Sequence, residues 1–175
     1  NRRIPPAEQG VAAMMVDLYK SFDAPLSNDT LFEWHSMLMN GRRDLRTIGA
    51  YRTQADPMQV VSGAMHDPTV HFEAPPAARM AKEMEAFIQF FEQSQEGEPQ
   101  FLPALARAGI AHLYFVSLHP FEDGHGRMGR AIAEKSLAQS LGHPTLIALS
   151  HTIERNRKAY YEKLERYNKD IEITG

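Results

Sequence analysis

The segment HPFEDGHGRMGR, residues 119–130, decides how the rest of this chain is organised. It holds two histidines, two acidic residues, three glycines and two arginines. It joins two stretches whose apolar residues recur at helical spacing, 105–118 and 128–141. Glycines let backbone amides approach an anion closely, and the start of a helix attracts negative charge. The sequence therefore predicts a helix–loop–helix whose loop binds an anion, with side chains beside it for proton and metal chemistry.

Three polar residues near the start of this segment supply acid–base and metal chemistry. His119 ends an apolar helix, and an imidazole that titrates near neutral pH is the usual general base. Glu122 and Asp123 are adjacent, so we expect their side chains to diverge and only one of them to face the same pocket as His119. A lone carboxylate that works with phosphate oxygens and water is the normal way in which proteins hold Mg²⁺.

The remaining positions suit a phosphate group. Gly124 and Gly126 allow close approach of the backbone, and their amides lie at the start of the following helix. Arg127 and Arg130 are three residues apart and share one face of that helix. Cations at a helix N-terminus oppose the helix dipole, so their presence makes sense if an anion binds there. The cluster as a whole indicates phosphoryl or nucleotidyl transfer, although a solvated glycine turn would explain any one of its residues.

A second interpretation uses the histidines as metal ligands. A metal held by His112, His119, Asp123 and His125 would make the protein a metal-dependent hydrolase. Against this, His112 lies inside an apolar helix, where packing is the ordinary role of a histidine. The two arginines beside the loop would also repel a divalent cation unless phosphate lay between them. The hydrolase therefore remains the second interpretation of the same loop.

The composition of the whole chain limits the class of protein. Its 175 residues suffice for one domain with a buried core, and 43% hydrophobic with 23% charged residues is ordinary for a globular protein. It has no cysteine, no apolar run of membrane length and no signal peptide, so we expect a cytoplasmic protein without membrane contact. A net charge of −3 argues against direct nucleic-acid binding. The chain begins at Asn1 without Met, which suggests a fragment of a longer protein.

Apolar residues at helical spacing predict a mainly α bundle of about six helices. Ser27 or Asn28 can cap the second helix, whose Trp34 and His35 are expected to pack in the core. The helix at 101–118 is the most apolar, so we expect it at the centre of the bundle. The predicted helices are 7–22, 30–39, 75–95, 101–118, 126–141 and about 152–168.

Residues 47–76 break the helical pattern and predict one β-hairpin. Their β-branched and aromatic residues are interrupted by glycine and proline, with residues 63–68 as the tip. Two strands alone are marginally stable, so the hairpin must lie against the rest of the domain. Its edge can accept a partner peptide as a third strand, but a hairpin that only closes the core explains the pattern equally well.

The segment 119–130 resembles the core motif of the Fic family, HPFx[DE]GNGRxxR, and matches each fixed position except His125, where the family usually has Asn. The preceding ARAGIAHLYFVSL is similar to the helix before a Fic loop, and IGAYR, MQVVSG and VHFEAPPA are similar to the Fic flap. The likeness covers nearly the whole chain and is strongest to the branch with an extra N-terminal helical segment. It implies a single Fic domain at 1–175, with that segment at 1–46, the flap at 47–76 and the helical core at 77–175.

The resemblance implies protein adenylylation, the transfer of AMP from ATP to a Ser, Thr or Tyr hydroxyl of a target protein. In family terms, His119 is the base for that hydroxyl, and Asp123 holds Mg²⁺ between the α- and β-phosphates. ATP and Mg²⁺ are therefore the implied cofactors. Phe121 would anchor the loop in the core, and the remaining phosphate contacts would come from Gly124, His125, Gly126, Arg127 and Arg130.

The resemblance also implies where the adenine and the target protein bind. Tyr160, Tyr161 and Asn168 are similar to the adenine side of Fic pockets, although either tyrosine would fit a core equally well. The target would lie along the flap between Met58 and Val61. Self-modification is expected, because such enzymes often modify themselves, and a homodimer stays open.

An inhibitory helix with the motif [ST]xxxE[GN] is a further feature of many Fic proteins. The chain has no such motif: Ser94 and Glu98 have the spacing, but Pro99 follows them. The helix would then lie before Asn1 or on another chain, and we expect this fragment to be less restrained than its parent.

His125 is the one departure from the motif. Asn at this position offers an amide donor towards the α-phosphate, and an imidazole can donate there too, with added attraction if it is charged. The resemblance therefore implies that phosphate binding survives with a new pH dependence. The group transferred stays open, because some Fic relatives move phosphocholine, phosphate or UMP, and some remove AMP.

Overall fold

The computed structural model describes residues 4–55, 58–64, 67–145 and the single residue 162. This part of the chain is mainly helical with one antiparallel β-hairpin, which confirms the expected fold class. The sixth predicted helix, at about 152–168, lies outside the described residues. The elements are α1 (Pro6–Lys20), α2 (Asn28–Leu38), β1 (Gln59–Ala64), β2 (Asp67–Glu73), α3 (Met80–Gln93, after a 3₁₀ turn at Ala77–Arg79), α4 (Ala104–Leu118) and α5 (His125–Leu141).

Local sequence signals set several helix ends. The Ser27 hydroxyl accepts a hydrogen bond from the Thr30 amide at 3.2 Å and so caps α2, as predicted. Gly142 ends α5 in the left-handed conformation, with φ at 74°, which a residue without Cβ adopts at little cost. In these two places the residue type alone determines where the helix begins or ends.

The most central helix of the described residues is α5, so the prediction that α4 occupies the centre is wrong. Every residue from Ala131 to Ala138 is buried, and α5 packs against α1, α2 and α4. In contrast, α4 leaves Leu105 79% exposed and Ile110 43% exposed. The apolar composition of α4 misled the prediction, because α5 buries polar residues that composition assigns to the surface.

Lys135 illustrates how α5 buries a charge at the centre of the bundle. Its ammonium group donates to the carbonyls of Ser21 at 2.8 Å and Phe22 at 3.1 Å, just past the C-terminus of α1. Carbonyl groups at a helix C-terminus carry partial negative charge and attract a cation. The buried lysine therefore fastens the end of α1 to the central helix.

Aromatic side chains fill the core between the helices. Trp34 is fully buried, and its indole N–H donates to Asp17 at 2.7 Å, which joins α2 to α1. Phe121 reaches into the same core from the loop between α4 and α5, where it is fully buried. The loop is therefore anchored in the core, as predicted for Phe121.

The β-hairpin is shorter than the predicted flap. β1 pairs with β2 from Gln59 opposite Glu73 to Ala64 opposite Asp67, with an irregularity in register at Val60. Residues 63 and 68 pair inside the strands, so the two ends of the predicted tip at 63–68 belong to the strands instead. Among the described residues, no helix is long and apolar enough to span a membrane.

Candidate active site

His119 lies at the C-terminal end of α4 in a left-handed conformation, with φ at 50° and ψ at 55°. No other non-glycine residue has a positive φ in the described parts of the chain. This conformation is sparsely populated by residues with a Cβ and recurs where function needs a particular geometry. It turns the chain sharply out of α4 and into Pro120, so that the His119 ring lies beside the start of α5.

The hydrogen bonding of His119 selects one tautomer. Its Nδ1 lies 2.8 Å from the carbonyl oxygen of Val116, which only accepts, so Nδ1 carries the proton. Nε2 is then the basic nitrogen. Burial lowers the pKa of His119, and the charge of Arg52 lowers it further, while the bond to Val116 acts in the opposite direction. The imidazole is therefore neutral near pH 7, as a general base must be.

Arg52 holds the backbone around His119. Its Nε donates to the His119 carbonyl at 2.6 Å, and its backbone amide donates to the Pro120 carbonyl at 2.8 Å. Its Nη2 donates to the Pro75 carbonyl at 2.5 Å, at the point where the hairpin leads into α3. Sequence reasoning missed this residue. Its position in a loop, between an aromatic residue and a polar stretch, gives no sign that it is almost fully buried.

His35 supports the loop from the side of α2. Its Nδ1 accepts from the Gly49 amide at 3.0 Å, so Nε2 carries the proton and lies 3.3 Å from the Asp123 carbonyl. Its ring stacks on Phe121, with centroids 4.1 Å apart and planes 7° apart. Burial lowers the pKa of His35, which keeps this neutral tautomer. His35 is in the core, as predicted, and it also positions the loop.

Glu122 and Asp123 diverge, as the sequence predicts. Glu122 accepts a hydrogen bond from the Arg46 amide at 3.1 Å. The carboxylate of Asp123 instead accepts from the Gly124 amide at 2.5 Å through Oδ1 and from Arg42 Nη1 at 2.6 Å through Oδ2. Burial acts to raise the pKa of Asp123, but the bonds from Arg42 and Gly124 outweigh it and lower the pKa. Asp123 is therefore an anion that already attracts a cation.

Asp123 fits Mg²⁺ better than the alternative His/Asp metal centre does. In the described part of the chain, no three His, Cys, Asp or Glu residues form a group that could hold a metal ion. His112, one of the four residues of that alternative, lies against Gly129 instead. One half-exposed carboxylate suits a cation that keeps water and phosphate oxygens as its other ligands.

The residues of the predicted anion site lie together at the start of α5. Gly124 caps the helix with φ at 90°, and the first bond within the helix runs from the Met128 amide to the Gly124 carbonyl. The amides of His125, Gly126 and Arg127 therefore have no acceptor inside the helix. Arg130 reaches back towards them, because its Nη1 lies 3.3 Å from where a Cβ on Gly126 would be. Amides and a guanidinium thus converge at one helix end.

His125 differs from the expectation for a phosphate donor. Its side chain is buried, and its Nε2 lies 2.9 Å from the carbonyl and 3.2 Å from the amide of Phe121. Its ring stacks on His119 with centroids 3.8 Å apart. Burial, reinforced by His119, lowers the pKa of His125 to about 3. Near neutral pH the ring adds no positive charge, and its role towards phosphate stays a prediction.

The remaining predicted residues are incompletely described. Tyr160, Tyr161 and Asn168 lie outside the described residues, so the adenine side stays a prediction. Met58 lies at the base of the hairpin, where its carbonyl accepts from the Ala74 amide at 2.9 Å.

Comparisons with known proteins match the part of the chain that contains this loop. The model of the Fic/DOC family matches residues 25–137. The protein adenylyltransferase Fic of Nematostella vectensis is 30% identical over 95 residues, a match that covers 54% of this chain and 20% of that protein. The region that matches thus spans about a fifth of the length of this relative.

Solved structures share the fold. A Fic family protein from Desulfovibrio desulfuricans superposes with a TM-score of 0.71 at 25% identity, covering 97% of this chain and 49% of that one. A Fic domain-containing signaling protein from Bacteroides thetaiotaomicron gives 0.72 at 18% identity, covering 94% and 56%. Fic-1 from C. elegans gives 0.69 at 23% identity, covering 93% and 43%. Because the family model matches more than half of its residues, including the whole segment 119–130, this chain belongs to the Fic/DOC family.

Proposed function

We propose that this chain is a protein adenylyltransferase, which transfers AMP from ATP to a Ser, Thr or Tyr hydroxyl of a target protein. The observation that carries the proposal is the pairing of a neutral base with an anion site. The ring of His119, with Nε2 as its basic nitrogen, stacks on the first residue of α5, where three amides and Arg130 converge. A base whose ring contacts the first residue of the anion site suits attack of a hydroxyl on phosphorus.

The proposed reaction moves one proton and exchanges one bond. Nε2 of His119 takes the proton of the target hydroxyl as that oxygen bonds to the α-phosphorus of ATP. The bond between the α-phosphorus and the α–β bridging oxygen breaks, and pyrophosphate leaves. Backbone amides at the start of α5, with Arg127 and Arg130, stabilise the charge on the phosphates. Mg²⁺ held by Asp123 would neutralise further phosphate charge.

The target protein is proposed to bind along the β-hairpin. Extended backbone between Met58 and Val61 belongs to the strand β1 and its approach, and a two-stranded sheet has edges that can pair with another chain. The hairpin continues at Pro75, which Arg52 ties to the carbonyl of His119. A hydroxyl presented by a peptide on this edge would therefore be held in register with the base. Self-modification and a cytoplasmic location belong to the same proposal.

His125 supports a second candidate for the group that is transferred. Its buried ring bonds to Phe121 rather than presenting an amide donor as Asn does. A loop with one phosphate-side donor fewer suits transfer of a different phosphate-linked group, or removal of AMP from a modified protein. These reactions would use the same base and the same cradle.

Labelled ATP distinguishes these reactions. Incubation of the chain with a target protein, or alone, and α-labelled ATP should give labelled protein and a mass increase of one AMP. Label transferred from the γ-position would instead identify a phosphotransferase. Loss of AMP from previously modified protein would identify the reverse reaction. If neither label is transferred and no AMP is removed while nucleotide binds, the chain is a binding module and the proposal is wrong.

A further inference from the structure

Arg42 connects two carboxylates beside the catalytic loop. Its Nε and Nη2 donate to the two oxygens of Asp44, at 2.7 Å and 2.6 Å. Its Nη1 donates to Oδ2 of Asp123 at 2.6 Å. Asp123 and Asp44 are 79 positions apart in sequence, so only the fold brings them to the same guanidinium. The result is a chain of charges, Asp44–Arg42–Asp123.

Both oxygens of Asp123 already accept a hydrogen bond. Oδ1 of this carboxylate accepts from the Gly124 amide, and Oδ2 accepts from Arg42. A divalent cation requires at least one of these oxygens as a ligand. A guanidinium hydrogen-bonded to one of those oxygens opposes a divalent cation there by charge repulsion and by occupying a lone pair. Arg42 therefore competes with a cation for Asp123.

We propose that Arg42 is an internal counter-cation for Asp123, which competes with a divalent cation for this carboxylate and so lowers the cation affinity of the loop. The inference deepens the proposed function, because it concerns the carboxylate assigned to Mg²⁺. The inference concerns the affinity of Asp123 for a cation, and this affinity does not depend on whether the chain transfers AMP.

Asp44 lets Arg42 leave Asp123 without losing its charge partner. The bond between Asp44 and Arg42 is bidentate, so the two side chains can move away from Asp123 together and the guanidinium remains paired. The backbone of Arg42 is also held, because its amide donates to the Met39 carbonyl at 2.9 Å in the turn after α2. The movement therefore involves the side chains of Arg42 and Asp44 and not the backbone of Arg42. Asp44 is therefore the carboxylate that stays paired with Arg42 when a cation binds Asp123.

The effect on cation affinity is modest. The side chains of Arg42 and Asp123 are 37% and 44% exposed, so solvent screens their attraction. Exposed ion pairs change an equilibrium constant by up to roughly fivefold. We expect removal of Arg42 to strengthen binding of a divalent cation by about two- to fivefold.

The test is a Mn²⁺ titration of the ¹⁵N-labelled chain without nucleotide. Binding is measured from the paramagnetic broadening of the Gly124 amide signal. Arg42→Gln should shift the midpoint about two- to fivefold lower. Arg43→Gln, which removes an equal charge from the neighbouring exposed residue, should leave the midpoint unchanged. Asp123→Asn should abolish the broadening. Asp44→Asn should weaken binding, because Arg42 then has Asp123 as its remaining partner in this chain of charges.

An unchanged or higher midpoint in Arg42→Gln, with normal thermal unfolding, would overturn the inference and assign Arg42 the role of orienting Asp123. An equal shift in Arg43→Gln would also overturn it, because the effect would then be long-range charge. Failure of AMP transfer in every variant would contradict the proposed function and leave the titration interpretable.

Discussion

At the scale of single residues, the assignment of His119 as the base depends on a tautomer. The Val116 carbonyl fixes the proton on Nδ1, and Arg52 fixes the backbone that carries the ring. His119 and His125 stack, and both are neutral near pH 7 because burial lowers the pKa of each. The proposed base is therefore neutral, as proton transfer to it requires, and its Nδ1 bonds to a backbone carbonyl instead of the carboxylate of a catalytic triad.

His119→Ala should abolish transfer and preserve nucleotide binding. Loss of a general base costs about 10²- to 10⁴-fold in rate. The anion site at the start of α5 does not include the imidazole, so the dissociation constant for ATP should change by less than about threefold. Single-turnover transfer of α-labelled AMP and calorimetric titration with ATP measure the two quantities.

His143 provides the matched control for this substitution. It is an exposed histidine just beyond Gly142 at the end of α5. His143→Ala should retain the native rate. If His119→Ala transferred AMP at a comparable rate, the assignment of the base would have to be abandoned.

At the scale of elements, α4 and α5 approach so closely that Gly129 is required between them. A Cβ built on Gly129 would lie 2.9 Å from both His112 Nδ1 and Val116 Cγ2. His112 therefore has a packing role against α5, which is the interpretation that the sequence favours. The contact also keeps the two ends of the loop close to each other, since α4 ends at Leu118 and α5 begins at His125.

Gly129→Ala should destabilise the chain by about 1–3 kcal/mol, because the added methyl group overpacks this contact. Gly109→Ala is the matched control, since Gly109 lies within α4 and nothing lies within 4 Å of its added Cβ. That substitution should be neutral or stabilise by up to about 1 kcal/mol through higher helix propensity. Urea unfolding of both variants measures the difference. Equal effects would show that the α4–α5 contact can relax.

Arg52 joins three segments: the end of α4, the loop that follows it, and the connection from β2 to α3 at Pro75. Arg52→Met should cost about 2–3 kcal/mol in unfolding free energy, because the carbonyls of His119 and Pro75 lose their donors. It should also lower the transfer rate more than the affinity for ATP, since the base is displaced and the start of α5 is not.

Arg79→Met serves as the control for this substitution. Arg79 is exposed and pairs with Glu83 one turn along the helix, an arrangement that contributes about 0.3–0.5 kcal/mol. A similar loss of stability in both variants, or an unchanged rate in Arg52→Met, would remove the proposed positioning role of Arg52.

At the scale of the whole molecule, the burial of His125 links stability to pH. The pKa of this residue is about 3 in the folded chain and 6.5 in its ordinary state, so the unfolded chain binds the proton more readily. The corresponding stability is fully present above pH 6.5 and is lost as pH falls towards 3. The loss is about 1.4 kcal/mol for each pH unit in this window.

His125→Asn removes this titration. Between pH 7 and pH 5, the variant should lose roughly 2 kcal/mol less unfolding free energy than the native chain. Urea unfolding at the two pH values gives the comparison, and acid-sensitive groups away from position 125 cancel because both chains share them. An identical loss in the two chains would mean that His125 is not buried as a neutral ring. The same variant restores the amide of the family motif and tests which group is transferred.

The sequence by itself determined the fold class, the Fic motif and the local signals. Ser27 caps α2, Gly142 ends α5, and Phe121 lies in the core, because each depends on the chemistry of one residue and its near neighbours. The diverging carboxylates at 122 and 123 were predictable for the same reason. These features depend on spacing along the chain, which the sequence contains directly.

Only the tertiary structure decided the features that join distant residues. Arg42 meets Asp123, Arg52 meets His119, and His35 meets Phe121 across long stretches of chain. The central position of α5 also depends on partners for its buried polar groups, such as the carbonyls beyond α1 that receive Lys135. Burial of a charge or an imidazole is favourable only where the fold supplies a partner, and no local pattern records which partner that will be.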